Sequence, residues 1–520
     1  MNKTQPASTT KLYDDEKEIE AVIDNSSDTE DGVDSLPNAS KSLKRTPASY
    51  VFDCLHFSIA FGLLEACVIA VLTLAPTTGS IGSMSSGTLY FTFAFTNLVS
   101  PAIIYAISPK WAFVAGMFGY ELYIIAYALV PNVTDALVIP ASAISGVGAA
   151  CIWAAYGAYI TAIAAEHAQL KGKEQGSSMG LFNGTFGFIF QSSLFLGQLV
   201  SSVTMSQTDE EQSETDSAID PLLFIIFVVV AGIGSVLSIF LRGNLHLVSS
   251  RFSKVVVVPE VVPGSIVAPS DVAERSSSSG LYVRARQSNG DRQSKDDVTI
   301  APPNGRDDDE SSFSAEEFSA KSLLFKVVTH FLTDARLQWL TLSNIAFGLT
   351  SAFQNGLFVS AVVAPYLGND NIGYTFCCNY AVAALWSFPL GWLSDKYGRT
   401  PGMVFAYLAT LIVGIVCLAH TFVNDDFVAI FALSALLGIS QGTWNTLNAA
   451  VFSEYFEDTP ESAFGNLKFW SGISTAIAFY VYPYMTLMEV SWLIIAIQTA
   501  GVVGYLVAAR IEHKRSPEQT

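Results

Sequence analysis

Twelve apolar stretches run through this chain, and each is close to the length of about 20 residues that lets a helix cross a bilayer. The composition agrees, because 51% of the 520 residues are hydrophobic and only 14% are charged, whereas soluble domains carry about 25% charged residues. The sequence therefore predicts an all-α membrane protein with twelve transmembrane helices. The stretches lie at 50–74, 86–107, 111–130, 136–165, 178–203, 220–242, 336–363, 371–393, 401–421, 426–452, 462–484 and 487–510.

The net charge of −19 would by itself suggest a soluble acidic protein. The acids are concentrated in the tails and loops, however, so the charge says little about the apolar helices. A nucleic-acid partner is not expected, because proteins of that class carry a basic stripe. The chain begins with a polar segment that lacks an apolar run, which argues against a cleaved signal peptide.

The basic residues test the helix count, because Lys and Arg accumulate in short cytoplasmic loops. If the polar N-terminus is cytoplasmic, every second connection should be basic. The connections expected on the other side, such as TTGSIGSMSS, PNVTD and LGNDN, contain neither Lys nor Arg. We therefore expect both termini in the cytoplasm. The same pattern fits a protein of the plasma membrane and a protein of an endomembrane. The residues counted on the cytoplasmic side include Lys41, Lys44, Arg45, Lys110, Lys171, Lys173, Arg242, Lys396, Arg399, Lys468, Arg510, Lys514 and Arg515.

The apolar pattern divides the chain into two sets of six helices, 50–243 and 336–510. Residues 1–49 are polar and acid-rich, a composition typical of a disordered cytoplasmic tail. The loop at 244–335 is rich in Ser, Asp and Arg and has a disordered composition for most of its length. Residues 511–520 are predicted to form a second cytoplasmic tail.

The end of that loop differs from the rest. Ser314 and Glu317 have the spacing of a helix capping box, and an apolar stretch, FSAKSLLFKVVTHFL, follows them. One interpretation is an amphipathic helix near 314–332 that lies on the membrane face. The other is a simple lead into the seventh transmembrane helix.

One phrase occurs twice, at the same place in each half. IAFGL stands at 59–63 in the first predicted helix and at 345–349 in the seventh. A weaker echo links Trp153 with Trp444 in the fourth and tenth helices. Parallel six-helix halves related by an axis along the membrane normal are typical of the major facilitator superfamily.

The connection after the eighth predicted helix, GWLSDKYGR, closely resembles the loop signature of that superfamily. Its signature residues are Gly391, Asp395, Lys396, Gly398 and Arg399. The glycines permit a tight turn, and an acid is favoured beside a helix N-terminus. The resemblance implies a latch that joins the two halves on the cytoplasmic side during alternating access. The alternative is an ordinary charged turn.

The matching loop of the first half, AISPKWAF, lacks the Asp and the Arg. The chain instead resembles a narrower branch of the superfamily, the Unc-ninety-three family of ion-channel regulatory proteins. The resemblance lies in SPKWAF at 108–113, GYELYI at 119–124, GVGAACIWAAYGAY at 146–159 and GLFNGTFGFIFQ at 180–191. It implies a polytopic protein that regulates a channel, escorts a receptor or transports a solute. Glu65 departs from the family, which has small or polar residues in this part of the first helix.

Glu65 is the most informative single residue, because a charge near the middle of a membrane helix costs about 2.5–3.5 kcal/mol on insertion scales. No buried Lys or Arg is evident in the sequence to pair with it, so we expect Glu65 to face a cavity. The superfamily resemblance implies that helices 1, 4, 7 and 10 line that cavity. Further candidates for a cavity or substrate site on these helices are Trp153, Tyr156, Ser351, Asn355, Gln441, Asn445 and Asn448. For the amides, hydrogen bonding between helices is the competing interpretation.

Other chemistry finds little support in the sequence. Glu121 is expected to serve packing, and the six cysteines form no CxxC pair. An enzyme, a metal site and a cofactor are therefore not expected. Two functions remain open. One is a regulator or escort of an ion channel or receptor in the bilayer, and the other is a secondary transporter of a small solute or cation, with proton coupling through Glu65.

Overall fold

The computed structural model describes residues 46–129, 135–173, 178–211, 221–243, 320–456 and 459–515. All regular secondary structure within these ranges is helical. Most of the predicted tail at 1–49, most of the loop at 244–335 and the capping box at Ser314 and Glu317 lie outside the described residues.

Thirteen helices account for the described part of the chain. Nine of them, counted within the described residues, are long and apolar enough to cross a membrane, and they coincide with nine of the twelve predicted stretches. The other three stretches correspond to α9, α12 and, in part, to α2, which are less apolar, so the count of twelve stays a prediction. The helices are α1 (Pro47–Leu74), α2 (Ser80–Asn97), α3 (Ser100–Leu129), α4 (Asp135–Leu170), α5 (Met179–Glu211), α6 (Pro221–Ile239), α7 (Ala320–Thr333), α8 (Ala335–Leu367), α9 (Asn371–Tyr397), α10 (Arg399–Ala419), α11 (Phe427–Tyr455), α12 (Pro460–Val481) and α13 (Leu487–Arg515).

A break inside α3 marks the boundary between the second and third predicted stretches. Ser108 has φ 71° and ψ 154°, outside the helical region. Pro109 follows it, and a proline disfavours helical geometry in the residue before it. The chain therefore changes direction at the boundary that the sequence predicts between 107 and 111.

Two helices contain π-helical segments, in which an extra residue per turn rotates the following side chains. In α8 these are Phe353–Leu357 and Val359–Val363, and in α11 the segment is Trp444–Asn448. Such segments are frequent at functional sites. They contain several of the predicted polar candidates, which changes the face on which those side chains lie.

The helices before the long loop meet those after it along two lines of contact. In the α2–α12 seam, the hydroxyls of Thr88 and Tyr480 lie 2.7 Å apart. The rings of Tyr90 and Phe479 stack with centroids 5.8 Å apart. Large side chains therefore reach across this part of the seam, while further along it Gly472 of α12 packs closely on Ala94 of α2.

The α5–α9 seam is made by small residues. The Ser202 hydroxyl donates to the carbonyl of Asp370 and accepts from the backbone N–H of Tyr374 at 2.9 Å. Gly373 packs so closely on the backbone of Gln198 that a Cβ there would overlap its carbonyl oxygen. The two helix backbones therefore approach one another directly.

The segment before α8 forms a helix of its own. Val327 of α7 is buried against α12, and Asn466 of α12 donates to its carbonyl at 3.0 Å. Asp334 then takes an extended conformation and caps α8 by accepting from the N–H of Arg336. Ala320–Thr333 is therefore a helix distinct from α8, and its position on the membrane face stays a prediction. The apolar residues that this helix leaves exposed are Leu324, Phe325, Val328 and Leu332.

Candidate functional site

Glu65 lies on the middle part of α1, where nearly every neighbouring residue is buried. Its side chain is 1% exposed. The indole N–H of Trp153 from α4 acts as a hydrogen-bond donor to the carboxyl group. Among the described residues, Oε1 of Glu65 has no hydrogen-bond partner. A buried carboxylate with one unsatisfied oxygen has room to accept a further donor.

A basic residue reaches the same place, and the expectation that none is available is wrong. Lys468 lies within α12, and its ammonium nitrogen is 5.2 Å from the centroid of the Trp153 ring. Lys468 and Glu65 also interact electrostatically. The sequence analysis counts Lys468 with the cytoplasmic residues, whereas in the structure its side chain reaches the Trp153 ring inside the bundle.

Aromatic rings surround the Trp153 indole. Phe61 meets it edge-on at 5.1 Å between centroids, and Phe190 does so at 5.7 Å. Tyr156 lies one helical turn further at 6.0 Å and packs on Phe186. The result is an aromatic wall contributed by α1, α4 and α5, with the Glu65 carboxyl and the Lys468 ammonium at its edge.

Tyr156 and Trp153 are only half-buried, so the wall remains open on one side. The Tyr156 hydroxyl donates to Oδ1 of Asn183 at 3.2 Å. Asn183 is exposed, and a Cβ at the nearby Gly157 or Gly184 would meet no atom within 4 Å. A small molecule could therefore approach the wall from the side of α4 and α5.

Ser351 connects this region to α8. Its hydroxyl hydrogen-bonds to the phenol of Tyr90, a half-buried residue of α2 that interacts electrostatically with Glu65. Tyr90 in turn stacks on Phe479 in the α2–α12 seam. The predicted candidate Ser351 is therefore linked to Glu65 through one intervening residue.

The amides of α8 and α11 mostly satisfy one another. Gln354 donates to Gln441 at 2.8 Å, and Asn448 donates to Oδ1 of Asn344 at 3.3 Å. Asn355 donates to the carbonyl of Ser351 within its own helix. These contacts favour the interpretation that Gln441 and Asn448 form hydrogen bonds between helices. Asn445, in contrast, is exposed.

A separate cavity of about 240 Å³ lies between the α1–α2 turn and the ends of α8 and α12. Three serines line it, Ser80, Ser83 and Ser360, together with the tyrosines Tyr482 and Tyr484. Phe479 forms part of its wall, and the ring of Tyr90 stacks on Phe479. The cavity and the Glu65 region are thus on either side of one aromatic pair.

The predicted latch lies at the turn between α9 and α10. Gly398 has φ 77°, a conformation that glycine adopts without strain. Nη2 of Arg399 lies 2.8 Å from Oε2 of Glu454 at the end of α11, and Lys396 lies over the Tyr397 ring. The exposure of Gly391 and the side chain of Asp395 are outside what the structure describes.

Glu121 has a local partner. It accepts from the Ser235 hydroxyl of α6 at 2.7 Å and lies against Gly232, where the absence of a side chain leaves it room. These contacts agree with a role in packing. The predicted packing residue and the predicted site residue thus differ in their surroundings, although both are acids buried in the bundle.

Sequence reasoning missed a charged cluster where α7, α8, α11 and α13 meet. Arg336 contacts Asp334 and Glu512 at 2.6 Å each and donates to the carbonyl of Tyr455 at 2.7 Å. Burial raises the pKa of Asp334, but the hydrogen bonds and charges of Arg336, with Arg515, bring it below its ordinary value. A basic residue two positions after an acid at a helix start is the signal that could have indicated this cluster.

The comparisons with known proteins agree on one family. The family model described as ion channel regulatory protein UNC-93 matches residues 77–508. The UNC93-like protein 3 of Arabidopsis thaliana is 25% identical over 448 residues, 85% of this chain and 82% of that protein. Protein unc-93 homolog A of Xenopus laevis is 27% identical, covering 85% of this chain and 89% of its own length. The putative potassium channel regulatory protein unc-93 of Caenorhabditis elegans is 24% identical, over 84% of this chain and 57% of its own.

Solved structures identify the fold. The xylose transporter XylE from E. coli, in a partially occluded inward-open conformation, matches with a TM-score of 0.55 at 12% identity, over 91% of this chain and 99% of its own. The nucleoside transporter NupG matches with a TM-score of 0.51 at 12% identity, over 88% and 99%. FucP, a transporter of the major facilitator superfamily in the outward conformation, also matches at 0.51, with 12% identity over 88% and 99%. At this identity the likeness shows the major facilitator fold and no more.

Proposed function

Because the chain belongs to the UNC-93 family of ion channel regulatory proteins, we propose that it is a multi-pass membrane protein that regulates or escorts another membrane protein. The partner is an ion channel or a receptor, and the scaffold is that of a transporter. The observation that carries the proposal is the extent of the family match. It covers residues 77–508, and with them both seams and most of the aromatic wall.

Co-expression with a panel of channels tests this function. Whole-cell current and the surface amount of each channel are measured with and without the chain, and potassium channels come first because a relative's name points to them. A changed current at constant surface amount indicates regulation, and a changed surface amount indicates escort. XylE, which has the same fold without belonging to the family match, is the matched control for crowding of the membrane. No effect on any channel or receptor beyond that of XylE would contradict the proposal.

The proposed arrangement has twelve spans in two parallel halves, 50–243 and 336–510, with both termini in the cytoplasm. The remainder comprises a disordered acidic tail at 1–49, a cytoplasmic loop at 244–335 that is disordered before an amphipathic helix near 314–332, and a cytoplasmic tail at 511–520, of which α13 includes the residues up to Arg515. The alternation of basic connections and the two seams support it. Cysteines introduced at Thr78 and Lys173 should react with an impermeant reagent from opposite sides of the membrane. Labelling of both from one side would overturn the arrangement.

A second function is favoured by the surroundings of Glu65. An acid and a base from helices on either side of the long loop meet at one indole, inside a fold that this chain shares with transporters. We propose as the alternative a small-solute or cation transporter that uses Glu65, Trp153 and Tyr156. Ser351, Asn355, Gln441, Asn445 and Asn448 would line the path, and Gly391, Asp395, Lys396, Gly398 and Arg399 would form the latch.

Reconstitution into vesicles separates the two functions. A transporter should lose proton-coupled or solute flux in Glu65→Gln and keep it in Glu121→Gln, a buried acid with its own partner in Ser235. A regulator should keep its effect on the partner channel in both variants. Flux that survives in Glu65→Gln would exclude Glu65 as the coupling residue.

A further inference from the structure

The charges at the aromatic wall balance one another. When both groups are ionised, Glu65 contributes one negative charge from α1 and Lys468 one positive charge from α12, beside the same indole. Trp153 contacts both groups. Its indole N–H donates a hydrogen bond to the Glu65 carboxyl, and the Lys468 ammonium lies over its ring face. The site is therefore a pair of opposite charges held on one aromatic platform, and it is neutral as a whole.

We propose that Glu65, Trp153 and Lys468 form a binding site for a zwitterionic ligand of the α-amino acid type. The ligand's ammonium would take the place of the Lys468 ammonium on the Trp153 ring and bind Glu65. The ligand's carboxylate would bind the released Lys468 ammonium. This inference deepens the transport alternative and rests on it, because it names the class of solute.

Charge neutrality is the reason for choosing a zwitterion. A ligand with a single positive charge could bind Glu65 but would leave Lys468 without a partner, and a ligand with a single negative charge would strand Glu65. An unpaired charge in a buried site is costly. A zwitterion replaces one internal pair by two pairs, and the unsatisfied Oε1 of Glu65 provides an acceptor for its ammonium.

The platform itself suits an ammonium group. The face of an indole is the best aromatic surface for a cation within about 6 Å, and Lys468 already occupies that position at 5.2 Å. The lysine side chain is half-buried and long, so it can withdraw without a change in the helix. Lys468 thus occupies the place on the ring that a ligand's ammonium would take.

The aromatic wall favours ligands with an apolar or aromatic side chain. Phe61 and Phe190 meet the Trp153 ring edge-on, and Tyr156 and Phe186 continue the surface. Ring edges and faces of this kind bind an aliphatic or aromatic group by its apolar surface. The expected order of affinity is therefore phenylalanine, tryptophan and leucine ahead of serine and glycine.

The first test uses the unaltered protein in detergent and needs no variant. The Tm is measured with L-phenylalanine, with phenethylamine, which lacks the carboxylate, and with 3-phenylpropionate, which lacks the ammonium. We expect the Tm to rise with phenylalanine and the two analogues to bind about 100-fold more weakly. Equal or tighter binding of phenethylamine would replace the proposal with an organic-cation site. The absence of any shift with all twenty amino acids would overturn it.

Variants then test each charge. Glu65→Gln should shift the preference towards 3-phenylpropionate, and Lys468→Met should shift it towards phenethylamine, while Glu121→Gln should keep the preference for phenylalanine. Unchanged preferences in Glu65→Gln and Lys468→Met would overturn the proposal. Binding is measured without flux or channel current, so its failure would leave the regulatory function standing, and its success would not depend on that function.

Discussion

Arg399 and Glu454 form an ion pair, with 2.8 Å between Nη2 and Oε2, that joins the start of α10 to the end of α11. Their side chains are 30% and 53% exposed, and exposed pairs contribute only about 0–1 kcal/mol. We therefore expect Arg399→Gln to change the free energy of unfolding by less than about 1 kcal/mol. Thermal unfolding in detergent measures this. A larger loss would mean that the pair is structural, and a latch role would then need other support.

Arg336 should behave differently, because its side chain is only 12% exposed and it contacts two acids. Arg336→Gln leaves Asp334 and Glu512 without their main partner, so we expect a loss of about 3 kcal/mol. Arg510→Gln, an exposed substitution on the same α13 surface region, should stay within about 0.5 kcal/mol. Equal effects of the two substitutions, measured by thermal unfolding, would contradict this view of the cluster.

The same cluster predicts a pH dependence. Hydrogen bonds and charges from Arg336 bring the pKa of Asp334 below its ordinary value of 3.8 in the folded state. The resulting stabilisation is fully present above the unfolded value and is lost as the pH falls through the folded one. The difference in stability between the wild type and Asp334→Asn should thus be constant well above pH 3.8 and narrow below it. A pH series of unfolding curves for the two proteins measures this, and a difference that stays constant below pH 3.8 would contradict it.

The α5–α9 seam should be sensitive to a single methyl group. A Cβ at Gly373 would overlap the carbonyl of Gln198 and the hydroxyl of Ser202, and overpacking of this kind costs about 1–3 kcal/mol. Gly184→Ala is the matched control, because a Cβ there meets no atom within 4 Å. Its effect should be below about 1 kcal/mol. If both substitutions have the same Tm, the backbones do not approach as closely as described.

A double-mutant cycle should detect the pair at the aromatic wall. Glu65→Gln and Lys468→Met each leave an opposite charge without its partner, whereas the double variant removes both. We expect the double variant to lose less stability than the sum of the singles, with a coupling of about 1–3 kcal/mol. The combination of Glu65→Gln with Lys396→Met should be additive, because Lys396 lies at the α9–α10 turn. An additive result for Lys468 would show that the two charges do not interact.

The apolar stretches and the break near Ser108 could be predicted because they depend on local chemistry. Hydropathy identifies segments that leave water, and Pro109 disfavours a helix at the residue before it. Nine of the predicted spans coincide with membrane-length helices in the described part of the chain. Glu65 could be singled out because a lone acid in an apolar helix needs a local explanation.

Lys468 could not be placed by the same reasoning. Counting basic residues assigns each Lys to the nearest connection, and a 20-residue window tolerates one charge. Lys468 lies inside the predicted stretch 462–484 but is counted with the cytoplasmic connection before it, because a lysine near a helix start can extend to the membrane surface. Its contact with Trp153 depends on how α12 packs against α4, which no local pattern specifies.

The hydrogen-bond partners of the amides in α8 and α11 could not be predicted from the sequence either. The sequence indicates that Asn448 and Gln441 lie on a polar face, but the π-helical segment Trp444–Asn448 shifts the register of that face. Such a segment depends on packing against neighbouring helices, which no local pattern specifies. The partners Asn344 and Gln354 are therefore known only from the folded chain.

The two seams differ in stiffness. Where α5 meets α9, the short Ser202 side chain and Gly373 bring the two backbones into direct contact, which leaves little space for one helix to move against the other. Where α2 meets α12, the rings of Tyr90 and Phe479 stand 5.8 Å apart on flexible side chains. If the two groups of helices move relative to one another, we therefore expect little displacement where α5 meets α9. We expect more where the Tyr90 and Phe479 rings can rotate between α2 and α12. Relative movement would be concentrated at the aromatic pair that separates the cavity near Ser80 from Glu65.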